Sequence, residues 1–307
     1  MYYLDHQKEF NNKMKLSIIN QTKVEVKKKD LPSQFSEKVR DDLIKRAVLA
    51  IQNNTRQQYG ADPNAGMKQI GKISRRRNDY KAAYGHGIGR CPRKIMTRRG
   101  TRFNWVGAVA PGTVGGRRAH PPKAEKIWDR KINKKERRKA IRSALAASVD
   151  KNTVKERGHI FEDYPIVIEN KFEEMKNTKE VISFLNSIGL EKELLRAGKK
   201  KIRAGRGKSR GRKYKTSVGP LLVVSKECNL LNSARNIPGI DVEIITNLNA
   251  EMLAPGTDVG RLTIYTENAI LRIEQERLFT DNPKIVKEKI ALKQKEEIKV
   301  KEDKKWV

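Results

Sequence analysis

Short apolar runs bounded by polar residues alternate with helical periodicity through the second half of the chain. Ile166-Val167-Ile168, Leu221-Leu222-Val223-Val224, Val242-Glu243-Ile244-Ile245 and Leu262-Thr263-Ile264-Tyr265 read as strands. Residues 178–185, 229–235, 250–253 and 267–278 carry helical spacing between and after them. Strands alternating with helices predict crossover units, hence an α/β body with a mainly parallel sheet covered on both faces. Nearer the N-terminus, KLSII (15–19) and KVEV (23–26) predict two strands. Residues 36–52 predict an amphipathic helix, with Val39, Leu43, Ala47 and Ile51 four apart. A further helix starts at a capping-box-like Asn133-x-x-Glu136 and carries Ile141, Leu145 and Val149 on one stripe, flanked by Ala144 and Ser148.

Between residues 60 and 131 this patterning fades. GTVGGRRAHPPKAEK (112–126) has paired glycines, paired arginines, a histidine and two prolines, with few apolar side chains. Over the whole chain 37% of residues are hydrophobic, below the roughly 45–50% usual in globular domains, so not every part can contribute to a core. The 307 residues carry a net charge of +32, an excess that calls for a polyanionic partner.

Charge is unevenly placed. Residues 66–126 hold sixteen Lys/Arg against two acidic residues, together with ten of the chain's 21 glycines. GKKKIRAGRGKSRGRK (198–213) holds nine basic residues and no acidic one. The segments with clear strand and helix signals are mildly acidic instead: −3 over residues 158–197 and −4 over residues 219–282. A near-neutral body carrying cationic, glycine-rich insertions accounts for this distribution. Lys134, Lys135, Arg137, Arg138, Lys139 and Arg142 crowd the start of the 133–149 helix, the end where the dipole disfavours cations, and a bound anion would offset that cost.

Several chemical motifs fail on context. Gly85-His86-Gly87-Ile88-Gly89 suggests a dinucleotide loop, but its glycines alternate, no strong strand precedes it, and Pro92 interrupts the place where a helix should open. Gly207-Lys208-Ser209 mimics the end of a phosphate-binding loop, yet position 202, where the motif needs glycine, is Ile202. His6, His86, His120 and His159 lack metal-ligand spacing, and Cys91 and Cys228 are too few and too far apart for a disulfide framework or metal cluster. Two thiols of this kind fit a reducing, cytoplasmic setting. No nucleophile–base pair stands out, no stretch reaches the length of a membrane span, and the first residues lack the order of a signal peptide. The expectation is no catalytic residue, no metal, no cofactor, no small-molecule substrate and no membrane.

RNA fits the insertions better. Arginine pairs bidentately with phosphate and stacks on bases. Glycine permits close backbone approach, and Pro111, Pro121 and Pro122 limit floppiness. Tyr80, Tyr84, Phe103 and Trp105 add flat faces suited to unstacked bases. With little apolar surface, such a stretch is expected to order only as phosphates neutralise it, so GTVGGRRAHPPKAEK reads as a segment that lies against RNA rather than protein. The candidate RNA-binding residues are Arg75, Arg76, Arg77, Lys81, Arg90, Arg93, Lys94, Arg98, Arg99, Arg102, Trp105, Arg117, Arg118, His120, Lys123 and Lys126 in the long insertion. Arg137 and Arg138 follow on the helix, and Lys199, Lys200, Arg203, Arg206, Lys208, Arg210, Arg212 and Lys213 in the second basic run. The alternative from another class is a nucleotide-dependent enzyme whose sheet binds cofactor at its strand ends and whose basic loops capture RNA.

GHGIGR, WVGAVAPGTVGGRRAHPPKAEK, INKKERRKAIRSALAAS, ERGH and AGRGKSRGRKY together resemble the universal large-subunit ribosomal protein L-four family in its archaeal and eukaryotic form. The resemblance spans roughly Met14 to Arg277. A chain ending soon after the globular part points to the archaeal type. The resemblance implies a three-layer α/β/α body of Rossmann-like topology, binding large-subunit ribosomal RNA in the cytoplasmic ribosome as a structural component rather than an enzyme. It also implies a long loop that threads through the RNA to the nascent-peptide exit tunnel, forming the constriction with the ribosomal protein of the L-twenty-two family. Carried onto this chain, the body is residues 14–59 and 132–283, and the extended Gly/Arg-rich loop is 60–131, its distal part between Lys94 and Gly112. Residues 198–213 form a second RNA-contacting loop, 1–13 an N-terminal extension ahead of a start-like Met14, and 284–307 a Lys/Glu tail expected to be partly disordered.

Overall fold

The computed structural model describes residues 15–20 and 23–281. The 1–13 extension, Met14 and the 284–307 tail lie outside the described residues. Contacts divide the chain into two compact units: one built from residues up to Asn53 and from Arg130 onward, the other from Asn54–Asp129.

The first unit is organised around a six-stranded sheet. Its strands are β1 (Lys15–Ile19), β2 (Glu25–Asp30), β5 (Ile166–Ile168), β8 (Leu221–Val224), β9 (Asp241–Ile244) and β10 (Thr263–Thr266), in spatial order β2-β1-β5-β10-β8-β9. Only β1–β2 is antiparallel; Ile18 pairs with Val167, Ile264 with Ile166 and Leu222, and Val223 with Glu243 in parallel register. The mainly parallel sheet is therefore present. β2 lies on the edge and is almost wholly exposed, and Lys27, Lys28 and Lys29 there discourage edge-to-edge pairing.

Because side chains alternate along a strand, the interior strands β5, β8 and β10 feed two separate clusters, joined on one side by β1. Ile18, Val167, Leu221, Val223 and Tyr265 enter one cluster, while Ile166, Ile168, Leu222, Val224 and Ile264 enter the other. The first cluster is completed by α1 (Asp41–Asn54), α2 (Lys134–Val149), α7 (Ala250–Leu253) and α8 (Glu267–Gln275). Residues of α3 (Lys151–Glu156), α4 (Thr178–Ser187) and α6 (Leu230–Arg235) complete the second. Continuous burial on both faces explains why these strands read as unbroken apolar runs.

The expected elements recur with local shifts. Residues 23–24 belong to the hairpin turn, where Lys23 has φ +62° and donates its N–H to Asn20, so β2 begins only at Glu25. Residues 33–36 form a short 3-10 turn and α1 starts at Asp41, which leaves Val39 exposed. The buried stripe of α1 is Ile44, Ala47, Val48 and Ala50, with Leu43 and Ile51 only partly buried. On α2 the stripe Ile141, Leu145 and Val149 is buried as expected, but Asn133 makes no side-chain cap. Glu136, its expected partner, instead accepts a hydrogen bond from Arg46 at 3.2 Å.

Buried charge in this unit is spent on joining elements. The guanidinium of Arg261, 2% exposed, donates to the carbonyls of Gly219 and Met252 and to the Asp241 carboxylate. Glu173 accepts from the Ser225 N–H (2.9 Å), the Ser225 hydroxyl (2.8 Å) and the Thr266 hydroxyl (2.6 Å), across the carboxyl ends of β8 and β10. Among the described residues no helix is long and apolar enough to cross a membrane. Leu222, fully buried on β8 between β10 and β9, sets a prediction: Leu222→Ala lowers unfolding free energy by about 3 kcal/mol in denaturant titration of the full chain. A cost below about 1 kcal/mol would contradict this packing.

Candidate nucleic-acid interface

The second unit, Asn54–Asp129, has seventeen Lys/Arg against four Asp/Glu, a net +13, and few apolar side chains. It contains a β-hairpin that hydrophobic periodicity does not predict: β3 (Arg93–Arg99) pairs antiparallel with β4 (Arg102–Gly107), with Ile95 opposite Trp105 and Arg98 opposite Phe103. Around the hairpin, an outgoing segment and a returning segment lie directly on one another. The Ala61 N–H donates to Pro122 (2.9 Å) across the two segments, the Ala108 N–H to Pro92 (2.8 Å) at the base of the hairpin, and the Arg117 N–H to Val109 (3.1 Å) within the returning segment. Lys94 donates to the Gln69 side chain (3.2 Å), whose amide donates to Gly115 (3.4 Å), joining hairpin, outgoing and returning chain.

Glycine is required where the two segments touch. Gly66 has φ +76°, and a Cβ there would lie 2.5 Å from the Arg117 backbone. A Cβ on Gly60 would lie 2.5 Å from the Ala124 nitrogen. Residues 112–126 thus rest their backbone on their own chain, which differs from the expectation that they lie only against RNA. Backbone pairing needs no apolar volume, so it was invisible to hydrophobic patterning. The side chains face out: Arg117, Arg118, His120, Lys123 and Lys126 are all exposed.

Aromatic rings supply the remaining cohesion. Tyr80, Phe103 and Trp105 form a chain of contacts with centroids 5.4 Å apart at each step. Arg98 lies 5.5 Å from the Tyr80 ring, Arg93 5.9 Å from Trp105, and Arg90 4.5 Å from Tyr84. A second stack lies between residues distant in sequence, where Tyr59 and Trp128 are near-parallel at 6.0 Å and Arg56 sits 3.8 Å over Trp128. Arg56, Tyr59 and Trp128 were absent from the sequence-derived set; their signal was an aromatic beside a cation at each end of the basic stretch. Arg93 Nε and Trp128 Nε1 are buried without a hydrogen-bond acceptor among the described residues.

The remaining predicted residues divide into two groups. Arg75, Arg76, Arg77, Arg90, Arg98, Arg99, Arg102, Arg117, Arg118, Lys123, Lys126 and Arg137 are exposed, as are Lys199, Lys200, Arg206, Lys208, Arg210, Arg212 and Lys213. Lys81, Arg93, Lys94, Trp105, Arg138 and Arg203 are partly buried and have internal neighbours. Arg138 donates to the Asp281 carbonyl at 3.0 Å. Arg203 donates to Arg212 (3.1 Å) and Tyr214 (3.4 Å), bracing the second basic run from inside. That run is itself ordered, with strands β6 (Lys201–Ile202) and β7 (Tyr214–Lys215) enclosing a 3-10 turn at Arg206–Arg210. Two of the four carboxylates in the second unit have partners within it. Asp79 takes the Ser74 hydroxyl (2.5 Å) and the Tyr80 N–H (2.8 Å), and Asp62 pairs with Lys68 (2.7 Å); these bonds hold both carboxyls below their ordinary range.

Beside the second basic run stands a buried charge cluster. α5 (Glu191–Gly198) carries Glu193, fully buried, which lies 2.6 Å from His159 Nδ1 and accepts from Arg196 and the Ile160 N–H. Arg196 also donates to Val218 at 2.7 Å, beyond the far end of the run. Among the described residues no His/Cys/Asp/Glu group could hold a metal ion, and both cysteines are free.

A family model described as the ribosomal protein L4/L1 family matches residues 29–276. The chain belongs to this family. Among curated relatives, the large ribosomal subunit protein uL4 of Nanoarchaeum equitans is 47% identical over 268 residues, covering 87% of this chain and 100% of that protein. The uL4 of Archaeoglobus fulgidus is 42% identical, covering 84% of this chain and 97% of the relative, and that of Methanocaldococcus jannaschii is 44% identical, covering 85% and 99%. The likeness is to archaeal members.

Glu193 carries a prediction with a definite sign. Burial alone would raise its pKa, but hydrogen bonds from Arg196, His159 and the Ile160 N–H bring it below the ordinary value. A depressed folded pKa gives stability that is present above the unfolded carboxyl range, about pH 4.3, and lost as pH falls through the folded value. Glu193→Gln therefore costs about 3 kcal/mol at pH 7 and flattens the acid limb of the stability profile. An unchanged acid limb in denaturant titrations would contradict the assignment.

Proposed function

We propose that this chain is a structural constituent of the large ribosomal subunit, binding large-subunit ribosomal RNA through the Asn54–Asp129 unit and the 198–213 run. The observation that carries the reading is the concentration of outward-facing cations on a unit that holds seventeen Lys/Arg against only four carboxylates, two of them, Asp62 and Asp79, bonded internally. Exposed arginines and lysines neutralise phosphates and release counterions, and their shared load makes any single contact dispensable. Family membership and the named relatives, proteins of the large ribosomal subunit, support the same reading.

Finer parts of the proposal rest on the family resemblance. Residues 60–131 act as the extended loop directed toward the nascent-peptide exit tunnel, where the neighbour is the L-twenty-two family protein. The body is a three-layer α/β/α domain working in the cytoplasmic ribosome. The Rossmann-like label extends only to the alternation of strands and helices, since the parallel strands run β1-β5-β10-β8-β9 across the sheet rather than in the dinucleotide-binding order.

The enzyme alternative has a specific obstacle. Doubly wound enzymes bind nucleotide outside the carboxyl ends of their strands. Here the carboxyl ends of β8 and β10 are bridged by the Glu173 carboxylate, whose charge repels phosphate. We therefore assign no catalysis and no cofactor.

Binding to large-subunit ribosomal RNA between about 50 and 200 mM salt tests the proposal. If roughly ten phosphates are engaged, affinity falls by several orders of magnitude across that range. Replacing residues 66–126 with a short linker should reduce both affinity and salt slope while the body stays folded. Unchanged affinity and slope would remove this unit as the main contact.

A further inference from the structure

The hairpin and the turn before it enclose a cavity of about 790 Å³, lined by Tyr80, Lys81, His86, Arg102, Phe103 and Trp105 among others. This is within the range of small-molecule sites, although the surrounding unit has little core. We propose that this cavity receives one unstacked RNA base, its ring against the aromatic wall and its flanking phosphates on Lys81 and Arg102. The inference rests on the RNA-binding reading and adds a base-recognising element to an otherwise phosphate-directed surface.

Three features favour a base over a phosphate as the occupant. The aromatic wall is continuous from Tyr80 through Phe103 to Trp105, and each base can stack on such a wall whatever its identity. Asp79 also lines the cavity. Its carboxylate stays ionised because the Ser74 hydroxyl and the Tyr80 N–H bond to it. A carboxylate repels phosphate but accepts a hydrogen bond from the exocyclic amino group of adenine or cytosine. Finally, Asn78 (φ +57°) and Lys81 (φ +63°), neither of them glycine, hold left-handed conformations on either side of Asp79 and Tyr80. Strain of this kind gathers at ligand-holding sites, and here it fixes the carboxylate and the ring at one mouth.

The test uses the full chain, a single-stranded RNA oligomer and an abasic sugar–phosphate oligomer of equal length, at about 100 mM salt. The wild-type chain is expected to bind the base-containing oligomer about tenfold more tightly, the equivalent of one stacked base. Tyr80→Leu, which removes the exposed ring and leaves the Phe103–Trp105 contact in place, should lose most of that preference and keep its affinity for the abasic oligomer. Asp79→Asn, which leaves the rings in place, should narrow the preference for oligoadenylate over oligouridylate. Equal wild-type binding of base-containing and abasic oligomers, or a preference that survives the Tyr80 substitution, overturns the proposal while RNA binding stands. Failure to bind either oligomer, or large-subunit RNA itself, overturns both readings.

Discussion

Repulsion between like charges is the constraint on which this structure depends. The Asn54–Asp129 unit gathers seventeen cations with too little apolar surface for an ordinary core. It is held by interactions that need no buried volume: backbone bonds between outgoing and returning chain, glycines that let those segments touch, and rings stacked on rings and guanidinium groups. Cation–π contact is well matched to this setting, since it uses the charge that would otherwise disrupt the fold. Most of the remaining cations are free to face a polyanion.

The body follows the opposite rule. Its most deeply buried charged groups are matched, Arg261 by two carbonyls and Asp241, and Glu193 by His159 and Arg196. Such clusters join elements rather than offer chemistry, because a buried charge deprived of its partner is costly. Glu173 illustrates how one carboxylate serves both stability and exclusion, bonding two strand ends while setting a negative charge where a nucleotide phosphate would otherwise be received.

How much of this was legible in sequence follows from what each element is made of. Ile166–Ile168 and Leu221–Val224 were readable because strands buried on both faces must be continuously apolar. The stripe of α1 was misread by about one position because Val39 has helical spacing but precedes the helix, which opens only at Asp41. The hairpin at 93–107 was missed because four of the seven residues of β3 are Arg or Lys and its apolar pair Ile95-Met96 is adjacent rather than alternating; Phe103 and Trp105 were its faint period-two trace. Candidate cations were legible as a class, yet Arg203 and Arg138 proved to have internal carbonyl partners. The Tyr59–Trp128 stack joins positions 69 residues apart, and local patterning carries no information about such pairs.

The central claim is that this cationic unit is held by its own chain before any partner arrives. Hydrogen exchange on the free full-length protein tests it most directly, at the amides of Ala61, Ala108 and Arg117, which bond to Pro122, Pro92 and Val109. The account predicts protection at all three of at least about tenfold over unstructured-peptide rates. Exchange at unstructured-peptide rates would contradict it and make order in this unit a consequence of RNA binding alone.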